Sequence, residues 1–138
     1  MRILFSSTKG AGHMRPLLPY LHALRQRGHE VCDASPESAS ALLQKERLPH
    51  APFDRPDDEQ PAAYRARVRG LSDVEIVKAD VRELFAGLNP KAALPKLRET
   101  IRAWRPDLIV RESAEFAAAI AADEAGIPHA RGGALRLC

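Results

Sequence analysis

The sequence predicts an α/β fold, a doubly wound parallel sheet with helices on both faces. Short apolar runs without a helical period alternate along the chain with segments whose apolar residues recur at helical spacing. Glycines and prolines mark the boundaries between these segments. Since successive parallel strands are joined by right-handed crossovers, such an alternation indicates a single parallel sheet.

Length and composition restrict the class of protein. The chain has 138 residues, the size of one domain, of which 45% are hydrophobic and 28% charged. Its 21 basic residues are interleaved with 18 acidic ones and aromatic residues make up only 5%, which disfavours a nucleic-acid partner. The two cysteines, Cys32 and Cys138, form no disulfide framework. We expect no signal peptide and no transmembrane segment, and we therefore expect a cytoplasmic protein in which Cys32 is a buried, reduced thiol.

The predicted elements follow the hydrophobic pattern. The first helix has Pro16 in its first turn and ends at Gly28. The predicted strands are 2–7, 29–35, 50–54, 107–111 and 127–131, and the other predicted helices are 36–48, 74–88, 92–104 and 114–126.

The middle of the chain has a different composition. Residues 55–73 are rich in proline and charge and show no sustained period, which predicts a long loop or a loosely helical excursion. Residues 74–88 have apolar positions at helical spacing, and we expect Asn89 and Pro90 to break that helix.

The predicted topology indicates where a site should lie. Ligands of doubly wound sheets bind at the carboxyl ends of the strands. We expect strand 2–7 to be central, with 29–34 and 107–111 as its parallel neighbours. The loops after 2–7 and after 107–111 should then meet in one crevice.

The loop after the first strand reads SSTKGAGHMRP, residues 6–16. It lacks the dinucleotide fingerprint, because Arg15 stands where the third glycine is needed, and it lacks a P-loop lysine. What remains is a turn that presents His13 at a helix start, where the positive end of the helix disfavours a charged imidazolium. A neutral histidine there is suited to act as a general base, although a capping or solvent-facing histidine is an equal alternative.

The second loop offers an acid for that histidine. Glu112 directly follows the apolar run of the 107–111 strand and should point into the same crevice as His13. Ser113 is the alternative partner. A simpler interpretation is that Glu112 only begins the next helix, where an acidic residue is favoured.

Two stretches carry a resemblance to a known family. KGAGHMRPLLPYLHALRQRGHEV, followed by SPESASALL, resembles the start of two-domain glycosyltransferases of the GT-B fold. It is most similar to family-1 enzymes that glycosylate natural products, including macrolide and enediyne antibiotics. RPDLIVRESAEFAAAIAADEAGIPHAR matches a second landmark of these enzymes. The resemblance implies a Rossmann-like, acceptor-side domain and covers nearly the whole chain apart from residues 54–90.

The resemblance also implies roles for individual residues. His13 corresponds to the base that deprotonates the acceptor hydroxyl, and Glu112 stands where an aspartate commonly orients that histidine. The implied acceptor is a small hydrophobic natural product, contacted by the 55–90 region, and no metal is implied. The candidate acceptor-binding residues are Gly10, Gly12, Tyr64, Phe85 and Ser113.

The resemblance further implies a second domain. Members of the family carry a nucleotide-sugar motif, typically H-C-G-x-x-[ST], in a C-terminal domain, and no such motif occurs here. We therefore expect an incomplete enzyme with no cofactor in this chain, whose donor, a nucleotide-diphosphate sugar, binds a missing domain. Three alternatives stay open: half of a split enzyme, a non-catalytic binding module, and transfer to a lipid-linked acceptor through Arg65, Arg67 and Arg69. Self-association into a homo-oligomer is also expected from an uncovered sheet edge.

Overall fold

The computed structural model describes residues 1–132. Five strands form one sheet: β1 (Arg2–Ser6), β2 (Glu30–Pro36), β3 (His50–Phe53), β4 (Leu108–Glu112) and β5 (His129–Gly132). All neighbouring strands are parallel, in the order β3-β2-β1-β4-β5. The predicted α/β class is confirmed, as is the central place of β1 between β2 and β4.

Helices connect the strands. They are α1 (Ala11–Met14), α2 (Leu18–Gln26), α3 (Ser40–Lys45), α4 (Glu59–Val68), α5 (Asp73–Ala79), α6 (Asn89–Trp104) and α7 (Ala117–Ala125). Short 3₁₀ turns at Arg15–Leu17 and Glu37–Ala39 precede α2 and α3, and a π-helix at Asp80–Leu88 joins α5 to α6. None of these helices is long and apolar enough to cross a membrane.

Strand alternation divides the core into two layers. Leu4 of β1 packs with Ile109 of β4 against helices α6 and α7. Ile3 and Phe5 point to the opposite face, where they pack against α1, α2 and α3. Because successive side chains of a strand point to opposite faces, both faces of the sheet are apolar and both are covered. Cys32 lies buried in the first layer, as predicted.

The structure corrects the sequence prediction between β3 and β4. For residues 55–73, where a long loop or a loosely helical excursion was expected, the helical alternative applies, because α4 occupies much of the segment. The helix predicted at 74–88 forms, but its second half winds as a π-helix. The break expected at Asn89 and Pro90 is wrong, because α6 begins at Asn89 with Pro90 in its first turn. The chain stays helical through this junction, since Leu88 and Asn89 both have right-handed helical dihedral angles and the N–H of Asn89 donates to the carbonyl oxygen of Leu84 in the π-helical pattern.

Smaller differences occur near the C-terminal end of the described residues. Helix α7 begins at Ala117 rather than at 114, since residues 113–116 form a turn after β4. Strand β5 begins two residues later than predicted. Cys138 lies outside the described residues.

Candidate active site

The turn after β1 places His13 at the carboxyl end of the sheet. Gly10 has φ +116° and ψ 141°, a conformation that only glycine adopts without strain. Its carbonyl oxygen accepts hydrogen bonds from the backbone N–H groups of His13 (3.1 Å) and Met14 (3.3 Å). The chain therefore enters α1 immediately, with Met14 buried in the core and the His13 ring partly exposed.

Glu112, the last residue of β4, lies beside that ring. Its Oε2 is 3.1 Å from His13 Nδ1 and accepts a hydrogen bond from the N–H of Ala114 at 3.0 Å. The side chain of Glu112 is 12% exposed and that of His13 is 33% exposed. Since β1 and β4 are neighbours with Ser6 opposite Arg111, the sheet register brings the two side chains together.

Ser113 does not take this place. It is exposed, and among the described contacts its backbone carbonyl accepts a hydrogen bond from Arg111. Of the two candidate partners of His13, Glu112 and Ser113, it is therefore Glu112 whose side chain contacts the ring.

The contact has a consequence for the tautomer of His13. A carboxylate oxygen accepts hydrogen bonds, so this contact suits the tautomer that carries its proton on Nδ1. The other ring nitrogen, Nε2, then keeps its lone pair and can accept a proton from a bound molecule. This is the arrangement that a histidine base requires.

The π-helix covers the other side of the same crevice. The ring of Phe85 lies 6.0 Å from the ring of His13, centroid to centroid, at an angle of 57°. Asn89 donates a hydrogen bond from Nδ2 to Thr8 Oγ1 at 3.2 Å, which ties the start of α6 to the loop after β1. Phe85 is thus placed next to His13, as an acceptor contact would have to be.

Tyr64 lies elsewhere in the helical segment. Its hydroxyl donates to Asp80 Oδ1 at 2.7 Å, and its ring packs with Val68 and Ala79 in a small cluster of its own. Burial, together with the neighbouring Asp80, raises the pKa of the Tyr64 hydroxyl to about 12. Arg67 stacks on this ring and forms an ion pair with Glu83. Of Arg65, Arg67 and Arg69, Arg67 therefore has its charge balanced by a carboxylate.

The two glycines of the loop differ in their surroundings. A Cβ placed on Gly12 would meet no atom within 4 Å, whereas the positive φ at position 10 requires a glycine.

On the side of the loop towards β2 lies a cavity of about 200 Å³. Its lining residues are Thr8, Lys9, Gly10, Ala11, Met14, Pro36, Ser38, Ala39 and Leu42.

Two buried carboxyl groups lie beneath the crevice, and the sequence analysis gave neither a role. Asp33 of β2 is fully buried, and its carboxylate oxygens have no hydrogen-bond partner within residues 1–132. Burial, and then the negative charge of Glu115, raises the pKa of Asp33 to about 7. Burial also raises the pKa of Glu115, whose carboxylate accepts the N–H groups of Ala117 and Ala118 at 2.9 Å each. In the sequence, the signal for Asp33 was an acidic residue inside a predicted buried strand, between Val31 and Ser35.

The described residues hold no group of three or more histidine, cysteine, aspartate or glutamate side chains placed to bind a metal ion.

Comparison with known proteins places the chain in a family. A family profile described as "Erythromycin biosynthesis protein CIII-like, N-terminal domain" matches residues 63–134, just over half of the chain. The chain is 32% identical over 133 residues to the L-demethylnoviosyl transferase of Streptomyces niveus, covering 95% of this chain and 34% of that protein. It is also 32% identical to the elloramycin glycosyltransferase ElmGT of Streptomyces olivaceus, covering 93% of this chain and 35% of that protein.

Solved structures agree with the sequence comparisons. The glycosyltransferase SsfS6 of Streptomyces sp. SF2575 superposes with a TM-score of 0.80 at 26% identity, covering 95% of this chain and 38% of that one. The chain spans about one third of the length of the curated relatives that it matches. It belongs to the erythromycin biosynthesis protein CIII-like N-terminal domain family, the N-terminal domain of GT-B glycosyltransferases of antibiotic pathways.

Proposed function

We propose that this domain binds the acceptor of a natural-product glycosyltransferase and that His13 is its general base. The 3.1 Å contact between His13 Nδ1 and Glu112 Oε2 is the observation that carries the proposal. It leaves Nε2 free for an acceptor hydroxyl and supplies a negative charge beside the ring as that ring becomes positive.

The proposed reaction is a direct displacement. Nε2 of His13 takes the proton of the acceptor hydroxyl while the hydroxyl oxygen attacks the anomeric carbon of the sugar. The bond between that carbon and the nucleotide diphosphate breaks, and the diphosphate leaves with the bonding electron pair. Because attack and departure occur on opposite faces of one carbon, the anomeric configuration is inverted.

The donor in this proposal is a nucleotide-diphosphate sugar. SsfS6 has also been solved with thymidine diphosphate bound, and a further relative, 26% identical, is a TDP-daunosamine transferase from Streptomyces peucetius. We assign donor binding to a domain outside residues 1–132, so the isolated chain should bind no nucleotide sugar and transfer no sugar. Titration calorimetry with TDP and TDP-sugars tests this, and tight binding to the isolated chain would contradict it.

The acceptor is proposed to be a small apolar molecule. The Phe85 ring lies beside His13, and Gly12 has open space around it. On the other side of the same loop, a largely apolar cavity lies between the ends of β1 and β2. Apolar walls with a few polar groups are typical of small-molecule sites. Tyr64 and Ser113 are proposed only as outer contacts, since neither touches His13.

The experiment joins this chain to the remaining two thirds of the L-demethylnoviosyl transferase and measures sugar transfer to a panel of polyketide and coumarin acceptors. His13→Ala should lower turnover ~10²–10⁴-fold, the range for loss of a general base. Glu112→Gln should do less harm, because an amide oxygen still accepts the Nδ1 hydrogen bond while the charge is lost. NMR of the product should show an inverted anomeric centre.

The chain contains a matched control. His22 Nε2 lies 3.0 Å from Glu46 Oε2, a second histidine–glutamate contact, on α2 and outside the crevice. The His22 side chain is 30% exposed, close to the 33% of His13. His22→Ala should leave turnover unchanged. Equal losses in the two variants, or normal turnover in His13→Ala, would remove the assignment of His13 as the base, and retention of configuration would exclude direct displacement.

A further inference from the structure

Arg111 lies one residue before Glu112 and on the opposite face of β4. In the register of the sheet it is opposite Ser6 of β1 and Arg131 of β5. Nothing in the mechanism above uses this residue, yet its guanidinium is directed into the turn of residues 112–116, which leads from β4 to α7.

The guanidinium binds that turn from the inside. Its Nη1 donates to the backbone carbonyl oxygens of Glu112 (3.4 Å), Ser113 (3.3 Å) and Glu115 (3.2 Å). Its Cζ lies 5.5 Å from the centre of the Phe116 ring, within the range of a cation–π contact. One side chain therefore contacts four of the five residues of the turn.

The same turn determines the orientation of the Glu112 carboxylate. Glu112 Oε2 accepts the N–H of Ala114, and the N–H of Glu115 donates to the carbonyl oxygen of Glu112 at 3.1 Å. If the turn relaxes, the N–H of Ala114 moves and the carboxylate loses the contact that aims it at His13. Arg111 binds the carbonyl oxygens of the residues on either side of this N–H, Ser113 and Glu115.

Lysine should not replace arginine here. An ammonium is a compact charge with three tetrahedral donors, whereas a planar guanidinium can stack on a ring and donate within its own plane. A lysine side chain would keep the positive charge near Glu115 but lose the contact of the guanidinium with the Phe116 ring.

We propose that Arg111 is a positioning residue that organises the turn of residues 112–116 and thereby holds Glu112 against His13 Nδ1. Its importance for catalysis rests on the proposed role of His13 as the base. Its effect on the His13 ring does not, and can be measured in the isolated chain.

The test is ¹⁵N NMR of the histidine rings in the isolated chain, with the His13 signals assigned by their loss in His13→Gln. The native protein should show mainly the tautomer with the proton on Nδ1. Arg111→Lys and Arg111→Met should both raise the fraction of the Nε2–H tautomer at least two-fold, with no loss of the signals of a folded sheet. Arg98→Met is the matched control, because Arg98 pairs with Glu124 on the outer face of α6 and α7.

Each outcome decides the proposal. A tautomer change in the Arg111 variants alone supports it. Unchanged His13 signals in the Arg111 variants, or the same change in Arg98→Met, would overturn it. If Arg111→Met does not fold, Arg111→Lys decides alone, since it retains the charge beside Glu115.

Turnover of the joined enzyme provides a second readout. Arg111→Lys should lower kcat up to about 10²-fold, the effect of misplacing a catalytic group by about 1 Å, and should leave KM for the acceptor nearly unchanged. A change confined to KM would overturn the positioning role. Normal turnover in His13→Ala would refute the proposed base, whereas the NMR result for Arg111 would still stand on its own.

Discussion

The loop after β1 and the helical segment of residues 59–88 meet at His13 and Phe85, but different forces stabilise them. The loop is attached to the sheet by backbone hydrogen bonds, such as Ser7 N–H to Ala34 O at 3.2 Å, and by Met14 in the core. The helical segment has its own small cluster of Tyr64, Val68 and Ala79, with Ile76 packed against it. Its exposed side also carries apolar residues, among them Val74, Val77 and Val81.

This difference indicates that the two regions contribute differently to the candidate site. The sheet provides a rigid frame for the His13–Glu112 pair, whereas the helical segment can change its sequence and shape with little effect on that frame. We therefore expect substitutions near the sheet to change global stability and substitutions in the helical segment to change local opening.

The largest expected effect concerns Asp33, which is buried in the middle of β2. Its pKa is about 7 in the folded protein and about 3.9 in an unfolded chain. Between these two pH values the folded state keeps a proton that the unfolded state has released, so stability falls as pH rises through this window. Above pH 7 the native protein should carry a cost of up to about 4 kcal/mol that Asp33→Asn avoids.

Urea unfolding at pH 4, 6 and 8 measures this. Asp33→Asn should match the native protein at pH 4 and exceed it in stability at pH 8. Glu99→Gln, which removes a carboxylate from the exposed side of α6, should leave the pH dependence unchanged. If the free energy of unfolding changed with pH in the same way in Asp33→Asn and in the native protein, burial would not raise the pKa of Asp33.

The placement of His13 and Glu112 in one crevice could be predicted because it follows from the strand order of a parallel sheet. Crossover connections place β1 between β2 and β4, so His13 and Glu112 had to approach the same crevice. The choice between Glu112 and Ser113 could not be predicted, because it depends on which side of β4 each side chain faces and on the turn that Arg111 binds.

The helical segment was harder to predict for a physical reason. A proline in a first helical turn and a proline that ends a helix have the same local sequence, and the distinction at Pro90 depends on packing against the sheet. The π-helix at Asp80–Leu88 keeps an apolar period close to that of an α-helix, so the pattern at 74–88 indicated a helix but not its winding.

A middle-sized effect distinguishes the two glycines of the loop. Gly10→Ala should destabilise the protein by roughly 1–3 kcal/mol, because a Cβ is strained at φ +116°. Gly12→Ala should be neutral or stabilise it by up to about 1 kcal/mol, since Gly12 is helical and has open space around it. Urea midpoints measure both. Equal effects would mean that the loop is not held in its glycine conformation and would weaken the comparison of a rigid frame with an adaptable segment.

The smallest effect lies in the helical segment. Tyr64→Phe removes the hydroxyl that donates to Asp80 and should cost about 1 kcal/mol. Because the bond joins α4 to the start of the π-helix, the cost should appear as easier local opening of residues 59–88 rather than of the sheet. Native-state hydrogen exchange should show about five-fold faster exchange in α4 and α5, with the slowest amides of β1 and β4 unchanged. Tyr20→Phe, on the exposed side of α2, is the control and should change neither region. Uniformly faster exchange across the sheet in Tyr64→Phe would show that the segment unfolds together with the frame, and the two regions would then be one cooperative unit.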